Sequence, residues 1–366
     1  MVNALTANVS SLLSTSNSSL MMTRIAERLY ADMRQRTDAI DESYQARIDS
    51  VSARSGTVSG RLRDAEKVVK ATENAKEQVT DIKGFLRDMK RIVAKAENNP
   101  AASELYSKQF NEKIQEINQT ANRYSGDYNL IGRPNGATLL PEKKSIQVSD
   151  NGTNLTVQAL YAGTSFNIVG TGADEGFYYK NNPTANVMYK VESLSEDDKR
   201  LSVVGHDGGR ISGVTVGSDD TITFKVDDGP SGSGGTTFTG TLQKGGLELM
   251  PAWYYEELST TDGIAAAKEA IRDAEANLRK VEFSVTTVKA RAQPKLRSLQ
   301  TEKQNLSDEI SALARDQFTK IAEIEDATRA QYNAVESSLN NQSKALSGYQ
   351  SILRGAASGT FLNTMS

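Results

Sequence analysis

The chain has 366 residues with no cysteine, one histidine and one tryptophan, and its 43 basic and 46 acidic side chains leave a formal charge of -3. Disulfides, thiolate metal sites and a cysteine nucleophile are excluded, and there is no field strong enough to draw in nucleic acid or an acidic membrane by charge alone. With 6% aromatic residues, the composition points to helical rods rather than one globule, in a chain long enough for two or three domains.

The N-terminal stretch MVNALTANVSSLLSTSNSSLMMTRIAERL has no basic residue before Arg24, and Ser, Asn and Thr repeatedly break its apolar runs. The charged start and continuous apolar centre of a cleavable secretory signal are both missing. No run of eighteen apolar residues occurs either. The expectation is a chain that is cytosolic, or exported by a machine that reads something other than a cleavable signal.

Helix breakers cluster in the middle. All seven prolines lie from Pro100 to Pro294 and 21 of the 27 glycines from Gly126 to Gly263, so the outer thirds read as helix. A first helix is expected over about 19–53 and a long second one over 60–98. In the latter, apolar positions step by threes and fours through Ala65, Val68, Thr72, Ala75, Val79, Ile82, Leu86, Met89, Val93 and Ala96. A turn is expected at 98–103, because Pro100 disfavours helix at Asn99 and can start the next one. A third helix follows through Leu105, Phe110, Ile114, Ile117, Ala121 and Tyr124, ending near Gly126.

The middle segment alternates with a strand period. SIQVSD, NLTVQALY, SFNIVG, NVMYKVESL, LSVVGH, SGVTVG, TITFKVDD and TFTGTLQ are short and rich in Val, Ile, Thr and Phe, with turn-forming clusters between them. They predict an antiparallel β domain, with GPSGSGG at 229–235 in an exposed loop.

Beyond PAWYYEELSTTDG the heptad beat returns in Ile264, Ala267, Ile271, Ala274, Leu278, Val281, Val285, Val288 and Ala292. It continues through Leu299, Leu306, Ile310, Leu313, Ile321, Ile324, Val335, Leu339, Leu346, Tyr349 and Leu353, with a kink or break expected at Gln293 before Pro294. A 3.5-residue period leaves one narrow seam per helix, which is buried only when another helix lies alongside. The predicted fold is mostly α with an inserted β domain. Long N- and C-terminal helices form a shared coiled-coil rod and the antiparallel β domain lies at its tip. The segments are 1–55 (N-terminal helical), 56–143 (N-terminal rod), 144–252 (β domain), 253–318 (C-terminal rod) and 319–366 (C-terminal helical). The rod seam is assigned to Val79, Ile82, Leu86, Met89 and Val93 with Ile271, Leu278, Val281 and Val285.

Particular stretches resemble a known family. KVVKATENAKEQVTDIKGFLRDMKRIVAKAENN followed by FNEKIQEINQTANRYSGDYNLIG is similar to the rod helices of bacterial flagellin and the short extended segment after them. EIEDATRAQYNAVESSLNNQSKALSGYQSIL resembles the flagellin C-terminal helix, and NALTANVSSLL the start of that family. The resemblance covers about two thirds of the chain in the right order. It departs at Arg28–Asp32, which run straight into the charged helix RQRTDAIDESYQARID, and at the ending FLNTMS. A divergent flagellin or a hook-filament junction protein fits these departures better than a standard filament subunit.

The resemblance implies a structural subunit of the bacterial flagellar filament that polymerises through its terminal helices for motility, exported to the flagellum without a cleavable signal; a hook-filament junction protein is the alternative. Its partners would be itself in a helical homopolymer, other flagellins, hook-associated proteins and an export chaperone. It implies no cofactor, metal, nucleic acid or membrane. The interface assigned on this basis is Leu5, Val9, Leu12, Leu13, Leu20, Ile25 and Leu29 with Val335, Leu339, Leu346, Tyr349, Ile352 and Leu353; the alternative is ordinary core within one monomer. The stretch matching the part of flagellin read by an innate-immune receptor holds Arg87, Met89, Lys90, Arg91 and Ile92, in an incomplete pattern that implies no recognition. A type III secretion tip or translocator protein, or a phage or surface fibre with a β receptor-binding domain, would share the helix–insert–helix order.

The enzyme reading is the weaker one. His206 stands beside Asp207 in a Gly-rich turn, where a histidine is commonly a loop residue rather than a catalytic base. Oxygen-rich DNGTN and VDDGPSG lack the full spacing of a calcium loop and suit hairpin turns. GTGADEG lacks the strand-to-helix setting and Lys-Ser pair of a phosphate loop.

Overall fold

A computed structural model describes residues 2–123, 129–132, 143–147, 154–158, 160–182, 187–193, 200–205, 211–217, 219–226 and 235–357. Three α-helices run over Val2–Asn98 (α1), Ser103–Asn122 (α2) and Thr261–Ala357 (α3). Between α2 and α3 lie nine strands: β1 Lys143–Gln147, β2 Asn154–Gln158, β3 Thr164–Gly170, β4 Tyr178–Asn182, β5 Val187–Val191, β6 Arg200–Gly205, β7 Ile211–Val216, β8 Thr221–Val226 and β9 Thr236–Gly246. The fold is mostly helical, with long helices from both ends of the chain and an antiparallel β domain inserted between them.

Two expectations are corrected. The first third forms a single helix rather than two, since Gly56 and Gly60 sit within α1. An exposed glycine costs a helix about 1 kcal/mol, and the buried Val51, Val58 and Leu62 around the pair more than offset it. The chain also does not break at Gln293, because α3 continues through Pro294. Proline removes one hydrogen bond and strains the preceding turn, while Ala292 and Leu299 on either side stay buried and hold the helix in register.

Contacts divide the chain into two compact units, residues 1–58 with 301–366 and residues 59–300. In the second unit every seam position from Ala65 to Ala96 and from Ile264 to Ala292 is buried, including Val79, Ile82, Leu86, Met89, Val93, Ile271, Leu278, Val281 and Val285. Ion pairs fix the pairing of the two helices. Glu97 meets Lys268 at 2.6 Å, Lys90 meets Glu275 at 2.7 Å and Lys83 meets Glu282 at 2.7 Å. Partners advance seven residues along one helix as they retreat seven along the other, the signature of an antiparallel coiled coil whose seam is flanked by charges. Each pair is partly exposed, so it contributes at most about 1 kcal/mol and mainly sets register.

Helix α2 folds back along α1. Its buried Phe110, Ile114, Ile117 and Ala121 form one face, although Leu105, expected on that stripe, is 54% exposed. The buried Gln78 side chain donates to the Thr120 carbonyl at 3.0 Å, and Arg123 pairs with Asp81 at 3.0 Å. The adjoining side of α2, with Ser107, Asn111 and Asn118, receives the β domain and the turn before α3.

All described strand pairs are antiparallel. A seven-stranded sheet has the order β6-β5-β4-β3-β9-β8-β7, and β1 pairs with β2 apart from it. Strand β9 returns beside β3 over Thr164↔Gly246 to Gly170↔Gly240, so the first and last strands of the large sheet become neighbours at its centre. Strand β4, YYKNN, was not expected. Its alternating burial follows the strand period, but polar Lys180, Asn181 and Asn182 hide that period in the sequence.

A small aromatic cluster forms around Trp253. Trp253 packs edge-on to Phe166 at 6.1 Å and tilted on Phe224 at 5.9 Å, and Tyr179 lies edge-on to Phe238 at 4.6 Å. Aromatic residues are few, but they converge here. Trp253 and Tyr255 come from the 3-10 turn Ala252–Leu258 that leads into α3.

Candidate assembly surface

The first unit pairs the N-terminal part of α1 with the C-terminal part of α3. On α1 the inward side carries Ile25, Leu29, Met33, Thr37, Ile40, Tyr44, Ile48 and Val51, all half-buried or buried. On α3 it carries Leu306, Ile310, Leu313, Gln317, Ile321, Ile324, Thr328, Tyr332, Val335 and Leu339, again stepping by threes and fours. Tyr30 and Tyr332 stack at a tilt, 6.3 Å between ring centres. The Tyr44 hydroxyl donates to the Asp316 carboxylate, and Gln317 donates to Asp41. Donation to Asp316 holds the Tyr44 phenol above its ordinary value, because ionisation would destroy the bond and face a carboxylate.

Past Leu339 the apolar period continues but its cover ends. Leu346 is 59% exposed, Tyr349 68%, Ile352 62% and Leu353 67%. On α1, Leu20 and Met21 are likewise exposed. Of the residues assigned to an interface, Ile25, Leu29, Val335 and Leu339 are half-buried inside this unit. Leu5, Val9, Leu12 and Leu13 belong to α1, but their side chains lie outside the described residues. The feature that sequence reasoning missed is Phe318, 75% exposed on α3, which falls off the seam period and so gave no signal.

In the second unit a polar latch joins α2 to the sheet. The Asn118 side-chain carbonyl accepts from the Thr164 backbone N–H at 2.6 Å and its amide donates to Thr164 Oγ1 at 2.9 Å, both buried. Asn111 accepts from the Ala252 backbone N–H at 2.8 Å, and Ser107 donates to the Glu257 carbonyl at 2.6 Å. The Asn129–Gly132 segment adds buried Leu130 and Ile131, with the Ile131 carbonyl accepting from Ala162 at 3.1 Å. These contacts hold the β domain on α2 and hence on the rod of this unit.

His206, Asp207, the DNGTN residues 150–153 and the loop 229–234 lie outside the described residues. GTGADEG forms a 3-10 turn at Gly172–Asp174 after β3, and no helix follows it as a phosphate loop would need. Among the described residues no group of three His, Asp or Glu could hold a metal ion, and no helix is long and apolar enough to cross a membrane.

No family model and no curated protein matches the chain. Among solved structures it is similar to FlgL of Xanthomonas campestris in two crystal forms. One is 11% identical with a TM-score of 0.32, over 74% of this chain and 99% of that one. The other is 10% identical with a TM-score of 0.29, over 66% and 91%. It is also similar to flagellar hook associated protein-3 of Legionella pneumophila, 12% identical with a TM-score of 0.32, over 76% of this chain and 99% of that one. At these scores the function has to be argued from the chain's own residues.

Proposed function

We propose that this chain is a non-catalytic structural subunit of the bacterial flagellum that works at the hook-filament junction rather than as the main filament subunit. The observation that carries the reading is the uncovered continuation of the seam, Leu346, Tyr349, Ile352 and Leu353, at the C-terminal end of α3. An apolar period that outruns its own partner calls for a neighbouring subunit's helix.

The energetics favour assembly over isolated order. Fixing the backbone of a residue costs about 1–2 kcal/mol, while burying a large apolar side chain returns about 1.5–3 kcal/mol. A bare helix end does not recover its ordering cost, and one buried against a neighbour does. The stretch 24–54, by contrast, carries charge on its outward side and fills its apolar side within the first unit. Four successive seam residues are exposed together at the C-terminal end of α3, which suits a subunit that joins its neighbours through its termini. Residues 1–55 and 319–366 are assigned as the assembly segments. Other flagellins, hook-associated proteins and an export chaperone are the partners, and export without a cleavable signal is the route.

The test uses fluorescently labelled full-length chain added to short flagellar filaments. Labelling at one filament end supports the junction reading. Replacing Leu346, Tyr349, Ile352 and Leu353 together by Ser should abolish end labelling and leave the circular dichroism of the second unit unchanged. Incorporation along the growing filament, or end labelling unaffected by the four substitutions, would overturn it.

A further inference from the structure

We propose that a basic stripe on α3 in the second unit docks on an acidic stripe of α1 in the first unit of a second copy of this chain. Resting on the reading that the chain works by assembly, the contact names one surface through which copies join. The two stripes match in spacing, charge and relief.

The basic stripe borders a groove of about 810 Å³ lined by Thr156 and Leu160 from the β1–β2 region and by Arg279, Lys280, Phe283, Thr287 and Arg291 among others from α3. Phe283 stands up from it, 74% exposed, a large apolar ring that solvent does not favour. Arg279, Arg291 and, one turn further along the same side, Lys295 are exposed and have no ion pair among the described residues. Lys280 donates to Asn277 and likewise meets no carboxylate. Neighbouring cations of the same helix are different: Lys268 and Lys289 both have acidic partners on α1.

The complementary surface is a hollow of about 760 Å³ on α1, lined by Glu27, Ala31, Arg34, Gln35, Asp38, Ala39 and Glu42. Two alanines give it a low floor. Glu27, Asp38 and Glu42 are exposed, without an ion pair among the described residues.

Lys280, Arg291 and Lys295 are separated by eleven and four residues, and so are Glu27, Asp38 and Glu42. Eleven residues are close to three turns, or about 16 Å, so each set occupies one side of its helix. Laid parallel with Lys280 opposite Glu27, the helices bring Arg291 to Asp38 and Lys295 to Glu42. Phe283 then falls level with Tyr30, next to Ala31 in the floor of the hollow. Arg34 falls opposite Thr287 rather than opposite a cation. A surface that meets a different surface of the next copy does not close on itself as a two-fold dimer does, and adds copies in an open series.

Sedimentation velocity on the purified full-length chain, with no flagellar component present, tests the contact. The wild-type chain is expected to associate as its concentration rises, at least tenfold more tightly at 50 mM than at 300 mM NaCl, because salt screens exposed charges. The double variants Lys280→Glu/Arg291→Glu and Glu27→Lys/Asp38→Lys should each lose association at least tenfold. Mixed together they should regain it, since the reversed stripe of one now meets the reversed stripe of the other. Phe283→Ala should weaken association without changing its salt dependence. The neutral pair Lys280→Gln/Arg291→Gln stands in if a reversed chain loses its helical circular dichroism. A wild-type chain that stays monomeric at low salt, reversed chains that associate unchanged, or a mixture that fails to recover would each overturn the proposal. Since no filament enters the experiment, these results leave the junction reading to its own test, and failed end labelling leaves this contact standing.

Discussion

Asn118 shows how much can depend on one buried polar side chain. It satisfies the Thr164 backbone N–H and hydroxyl inside the α2–β3 contact and accepts a longer bond from the Tyr161 hydroxyl at 3.4 Å, so Asn118→Ala removes three bonds and strands a buried donor. Leaving such a group unpaired costs about 1–3 kcal/mol; Asn118→Ala should lower the urea midpoint of the second unit accordingly. Gly263 opens α3 where an added Cβ would collide with the Tyr255 carbonyl oxygen. Gly263→Ala should therefore destabilise the aromatic turn despite alanine's better helix propensity, visible as a lower thermal midpoint in the Trp253 fluorescence. Just before it, Glu256, Glu257 and Leu258 all take positive φ, a conformation costly for residues with a side chain, and the contacts of Tyr255 and Leu258 in the core hold them there. Burial pushes the Tyr255 phenol above its ordinary value of 10.0. A raised phenol adds stability that is fully present below pH 10 and lost as pH climbs through the folded value. The second unit should thus hold constant stability with respect to this group at neutral pH and weaken in alkali, and Tyr255→Phe, whatever it costs at pH 7, should flatten that alkaline decline.

Whole elements differ in how clearly the sequence announces them. The seams of α1 and α3 were legible because a 3.5-residue period survives even where Thr72 replaces an apolar residue. The extent of α1 and α3 was not, because Gly56, Gly60 and Pro294 carry local penalties of about 1–3 kcal/mol that seam burial on both sides overrides. Inserted strands announced themselves through alternating Val, Ile, Thr and Phe, except β4, whose polar residues belong to a strand held between β3 and β5. The latch on α2 was illegible for a physical reason: Ser107, Asn111 and Asn118 look like solvated polar residues until tertiary partners bury them. Within the rod, truncating the fully buried Leu86 by Leu86→Ala should cost about 2–5 kcal/mol, measured by chemical denaturation. Removing the partly exposed Lys83–Glu282 pair should cost no more than about 1 kcal/mol and less in high salt. A seam that mattered less than its flanking charges would contradict the coiled-coil account of this unit.

On the scale of the molecule, the chain divides its labour between parts that complete themselves and parts that do not. The second unit closes its own core: both seams are buried, α2 latches the sheet, and the scarce aromatic residues gather where the β domain returns to α3. The first unit pairs its helices through Leu339 and then leaves Leu346, Tyr349, Ile352 and Leu353 uncovered. That contrast was only half readable beforehand. The sequence period marks those residues as apolar seam, but a period cannot say where a partner stops. The central claim, a subunit that joins other flagellar proteins through its helix ends, is tested most directly by immunogold electron microscopy of detached flagella with antibodies raised against residues 144–252. Gold confined to a narrow zone between hook and filament is the expected result. Gold along the whole filament, or none on the flagellum, would contradict the account.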